Sequence, residues 1–158
     1  MRALPVLLFA SALMGVAGVS AAETANASVT VVATMGSRTS LKVSADLLHF
    51  DVASPGQPAL AAVDFFAGAR TLADAQVVLS VEPLRGVEGP GGAADVESSV
   101  SFTGEGDGTL GGMLAPIGPT IAGKWTGSGL RRGRLIFALR AGAAGGYTVP
   151  VRFVLSAP

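Results

Sequence analysis

The sequence predicts an all-β chain: an antiparallel β-sandwich of about seven to eight strands following a cleaved signal peptide. Three observations carry this. Apolar residues alternate with polar ones in several separate stretches, which is the period of a half-buried strand. Turn-forming Gly, Pro and Ser recur about every ten residues between those stretches, a spacing expected of a sandwich or barrel. The 158 residues hold 22 glycines and 9 prolines with only 14% charged side chains, a composition suited to short apolar strands joined by tight turns.

The chain begins MRALPVLLFASALMGVAGVSAAETA. One basic residue, an apolar run and small residues before residue 22 form the layout of a secretory signal, so residues 1–22 are expected to be removed and the product exported to the periplasm, cell surface or exterior. The rival reading is an uncleaved anchor, but no basic stop-transfer cluster follows the run. With no cysteine, neither a disulfide framework nor a lipid-modified cysteine is available. Without Arg2 the chain has ten basic and eleven acidic residues. No run of basic residues marks a nucleic-acid partner, and membrane contact is expected only through the signal segment.

Residues 23–36 read as an N-terminal extension or first strand, with Val29, Val31, Ala33 and Met35 on one face; residues 37–158 form the sandwich domain. Gly36 to Ser40 read as a break. Residues 41–52 alternate through Leu41, Val43 and Ala45, then shift phase near Asp46 to give Leu48, Phe50 and Val52, as a bulge or a strand changing sheets produces. After the SPGQP turn, residues 59–69 and 75–84 are expected as strands. Residues 59–69 and 72–78 also suit a helix, alanine being the best helix former, but Val63, Phe65 and Ala67 alternate with Ala62, Asp64 and Phe66. Residues 85–95 read as a solvent-exposed glycine-rich loop. Strands are expected again over 96–106, near 120–125 and over 131–141. The last pairs as a hairpin across GAAGG with the terminal strand, which sets Tyr147, Val149, Val151, Phe153 and Leu155 on one face.

Chemistry-bearing residues are sparse. The single histidine, His49, shares a strand face with Asp51, an arrangement that can orient a general base. No strained-turn serine announces a nucleophile, and one histidine is too few for a zinc site. Glu105 with Asp107, and Asp95 with Glu97, fall short of the oxygen count calcium requires. TGSGLRRG lacks the lysine and spacing of a phosphate-binding loop. Trp125 with Arg131 and Arg132 is the candidate ligand patch, arginines being suited to anions and ring N–H or O–H groups to polar contacts. No catalytic residue, cofactor or metal is expected, and the chain reads as a non-enzyme. Asn26-Ala27-Ser28 fits a glycosylation sequon.

The closing stretch WTGSGLRRGRLIFALRAGAAGGYTVPVRFVL, with a Gly-Tyr opening an alternating strand, resembles the C-terminal end of secreted bacterial fimbrial and spore-coat-U-type domains. The resemblance implies an immunoglobulin-like sandwich whose open groove is filled by an N-terminal extension of the next subunit through β-augmentation. On that likeness Val29, Val31, Ala33 and Met35 belong to the donor strand, and Tyr147, Val149, Val151, Phe153 and Leu155 border the acceptor edge. The partners implied are copies of the chain or related subunits. Two features depart from the family pattern: the lack of cysteine, and Pro150 within the terminal strand. The alternative is a monomeric periplasmic or extracellular binding module in which residues 27–35 close their own sheet.

Overall fold

The computed structural model describes residues 37–90 and 99–158, and every statement below concerns those residues. The signal segment 1–22, the extension with Val29, Val31, Ala33 and Met35, and the Asp95–Glu97 pair lie outside them. The described residues form nine strands and no helix: β1 (Arg38–Val43), β2 (Leu47–Val52), β3 (Ala59–Arg70), β4 (Gln76–Pro83), β5 (Ser99–Glu105), β6 (Gly112–Met113), β7 (Thr120–Thr126), β8 (Gly129–Arg140) and β9 (Gly145–Ser156). They build two antiparallel sheets in the orders β1-β3-β8-β5-β6 and β2-β9-β4-β7.

Alternation explains which face of each strand is buried. On β2, Leu48, Phe50 and Val52 are buried and the residues between them exposed. On β8, Leu135, Phe137 and Leu139 point inward. The inward sets interdigitate into one apolar core containing no buried polar or charged residue. The cross-sheet contacts include the Phe137 and Phe153 rings at 6.5 Å, nearly edge-on, an arrangement that the ring quadrupoles favour.

The phase shift near Asp46 marks a strand changing sheets. β1 pairs with β3 in one sheet, and after residues 44–46 the chain continues as β2 against β9 in the other. β1 starts at Arg38, so residues 38–40, expected as a break, are paired strand. Residues 59–70 are strand, since Phe65 and Val63 reach the core only with period two. β6, only two residues long, was not expected.

The expected hairpin between residues 131–141 and the terminal strand does not form. Both edges of β8 are occupied, by β3 and β5, so β9 has no place beside it. Residues 141–144 instead cross to the other sheet, where β9 pairs with β2 and β4. Tyr147, at the start of β9, is 2% exposed, and its hydroxyl donates to the Ala143 carbonyl at 2.9 Å. This bond fastens the corner between β8 and β9 to the start of β9.

A second crossing needs a glycine. β7 and β8 lie in different sheets, joined by Gly127 and Ser128. Gly127 has φ +73°, and a Cβ there would stand 2.8 Å from the Ala73 carbonyl oxygen. Its N–H donates to Ala75 and the Ser128 hydroxyl donates to the Thr71 carbonyl, clasping this crossing to the β3–β4 crossing.

Candidate functional site

The two halves of β9 are held on opposite sides. Its first half pairs with β2, from Gly145↔Val52 to Pro150↔Leu47, and its second half pairs with β4, from Val151↔Pro83 to Ser156↔Val78. Beside the first half, the β4 side is closed by the chain after β4. The Leu84 N–H donates to Pro150, and Glu88 and Thr148 exchange both backbone bonds. Residues 85–90 therefore do not form the wholly exposed loop expected. Val87, Glu88 and Gly89 are half-buried there.

Beside the second half, the β2 side has no strand among the described residues. The last bond on it runs from the Val151 N–H to the Asp46 carbonyl at 2.8 Å. Backbone groups alternate direction along a strand. Thr148 bonds on the β4 side and Val151 on the β2 side, so Phe153 and Leu155 aim their N–H and C=O away from β4. Among the described residues no strand pairs with them there. Next to this edge lies an open groove of about 350 Å³ lined by Leu41, Val43, Asp46, Leu84, Val151, Arg152 and Phe153. Its walls are the inward face of β1 and the second half of β9. An unpaired strand edge beside apolar side chains is the arrangement that accepts an added strand.

Of the expected acceptor residues, Tyr147, Val149 and Val151 are buried and Phe153 and Leu155 half-buried, all on the core face. Val151 and Phe153 line the groove, whereas Tyr147 and Val149 sit where β2 already completes the sheet. The groove's second wall, Leu41 and Val43, was missed as such. The phase shift at Asp46 was the available signal, because residues before a sheet change belong to the facing sheet. Pro150 lies opposite Leu47 and its carbonyl is used by Leu84. The N–H it lacks would point toward Leu84 on the β4 side, so that pair is held by the one bond from Leu84.

The candidate ligand patch is divided between sheets. Trp125, on β7, is 8% exposed and faces the core, and its indole nitrogen has no hydrogen-bond partner among the described residues. Arg131 and Arg132 lie on β8 in the other sheet; alternation sends Arg132 to the outer face. His49 and Asp51 are exposed on the outer face of β2, opposite Thr148 and Gly146. Glu105 and Asp107 are exposed at the end of β5. Among the described residues no group of three or more potential metal ligands occurs.

Two ion pairs cross neighbouring strands among the described residues. Asp64 and Arg134 stand directly opposite on β3 and β8 in a two-pronged contact of 2.7 and 3.1 Å. The guanidinium bond lowers the Asp64 pKa below its ordinary value and raises that of Arg134. Arg152 pairs with Glu82 across β9 and β4. Searches against protein-family models, curated proteins and solved structures returned no match.

Proposed function

We propose that the chain is a secreted, non-enzymatic structural subunit, pilin-like or coat-like, that assembles by accepting a strand at the open edge of β9. The observation that carries this reading is that edge: the outward N–H and C=O groups of Phe153 and Leu155 beside the groove between β1 and β9. On the side of β9 away from β4, β2 pairs along only half of the strand. The sheet has room for one further strand with an apolar inward face. Residues 27–35, with Val29, Val31, Ala33 and Met35 on one side, have the length and alternation to be that strand in a neighbouring copy. The resemblance of the closing region to fimbrial and spore-coat-U-type domains supports the same reading.

The test is electrophoresis of unboiled samples in SDS, comparing the signal-cleaved chain with a variant lacking residues 23–35. A ladder of resistant oligomers that disappears on deletion is the expected result. A lone monomer band from the intact chain, with the deletion only unstable, overturns assembly and favours a monomeric binding module that closes its own sheet.

A further inference from the structure

The sequence has no run of basic residues, but strand register assembles a cationic patch from three strands. On the outer face of the five-stranded sheet, Arg38 stands opposite Arg70, Ser40 opposite Gly68 and Lys42 opposite Phe66. β8 continues the rows with Leu130 beside Gly68 and Arg132 beside Phe66. Gly68 lets the middle row lie low: a Cβ there would meet the Ser40 hydroxyl at 2.7 Å and a Leu130 methyl at 3.1 Å. From strand and residue spacings the patch measures roughly 10 by 14 Å. Within it, Phe66 is 46% and Leu130 66% exposed.

None of Arg38, Lys42, Arg70 or Arg132 has a salt bridge among the described residues. Acidic groups on this face lie one row away. Asp64 is engaged by Arg134, which also feels Glu105. Two arginines directly opposite across a strand pair repel each other, and an anion lying over them relieves that repulsion.

We infer that this face docks on an anionic lipid bilayer, with Arg38, Lys42, Arg70 and Arg132 over the headgroups and Phe66 and Leu130 entering the boundary beneath them. Charge complementarity selects an anionic partner. Aliphatic and aromatic side chains set among cations on a flat sheet face match the layered chemistry of a membrane surface. A polysaccharide site calls for amide or carboxylate groups to meet sugar hydroxyls, and Ser40 is the one uncharged polar side chain in these rows.

The test is co-sedimentation of the full chain with phosphatidylcholine vesicles, with and without phosphatidylglycerol. The variants are Lys42→Gln/Arg132→Gln and, as a control with the same charge change elsewhere, Lys124→Gln/Arg140→Gln. All carry the same N-terminal segment, so its own lipid affinity is common to every arm, and all four positions are exposed. Each surface cation removed weakens binding about fivefold. The Lys42/Arg132 variant is therefore expected to lose roughly twenty-five-fold on the anionic vesicles and little on the neutral ones, with the control close to the parent. Equal binding to both vesicle types overturns the inference. So does an equal loss in variant and control, or retention of soluble alginate by a chain that ignores the vesicles.

Discussion

Changing Tyr147 to Phe removes one oxygen and leaves the ring in place. The hydroxyl it removes donates to the Ala143 carbonyl at 2.9 Å from a residue 2% exposed. Ala143 itself is exposed, so its carbonyl turns to water once the hydroxyl is gone, and no orphaned acceptor adds to the loss. The expected cost is then that of one hydrogen bond, about 1 kcal/mol, or about 4 °C in Tm for a domain of this size. Tyr147→Ala removes the ring from between the sheets as well and is expected to cost about 4 kcal/mol, as for other large aromatic truncations. Urea unfolding followed by tryptophan fluorescence and circular dichroism measures both, with the slope for Tyr147→Phe unchanged. If Tyr147→Phe is as stable as the parent, the corner bond is not what holds the crossing between β8 and β9. A loss as large as that of the alanine variant refutes the assignment of the remaining energy to ring burial.

Two further outcomes follow from side-chain geometry, beside the gel and vesicle experiments above. Gly133 lies opposite Phe65, and a Cβ there would stand 2.7 Å from the Glu105 carbonyl oxygen and 2.8 Å from the Phe65 ring. Because a ladder carbonyl cannot move aside, Gly133→Ala is expected to destabilise by about 1–3 kcal/mol; an unchanged melting temperature shows that β5 and β8 are less closely apposed. The Asp64 carboxyl has a lowered pKa in the folded state through its bond to Arg134. Its stabilising contribution is present above the unfolded-state pKa and is lost as pH falls through the folded-state value. The stability difference between the parent and Asp64→Asn should therefore close on acidification, and a gap that persists at low pH assigns the effect to something other than the ion pair.

What was legible in the sequence was local. The alternation of β2, β3, β8 and β9 follows from side chains that must reach one core, and the phase shift near Asp46 marked a bulge or a change of sheet just beyond Val43, where β1 ends. Strand partnership was not legible. β8 and β9 are neighbours in sequence joined by a short glycine-containing loop, which locally reads as a hairpin. They part because β3 and β5 take both edges of β8, a fact spread over forty residues on one side and seventy on the other. The groove divides in the same way. Val151 and Phe153 could be read from the terminal strand, whereas Leu41 and Val43 become its second wall only once β1 is known to lie in the facing sheet. Trp125, with its polar ring nitrogen, suggested a surface contact, and the alternation of β7 turned it inward instead.

The position of β9 also shapes how the domain comes together in time. The four-stranded sheet is joined through this strand: β2 reaches β4 and β7 only by way of it. During synthesis, Leu48, Phe50 and Val52 emerge with no strand of their own sheet beside them until Gly145 and its successors follow. At 5–20 residues per second the interval is roughly five to twenty seconds. Contacts of such long sequence separation form slowly, and an apolar strand waiting that long is exposed to aggregation. β2 has a histidine and an aspartate on its outer face, and β1 carries Arg38 and Lys42 at the edge of the other sheet, and charged side chains on edge strands disfavour edge-to-edge pairing.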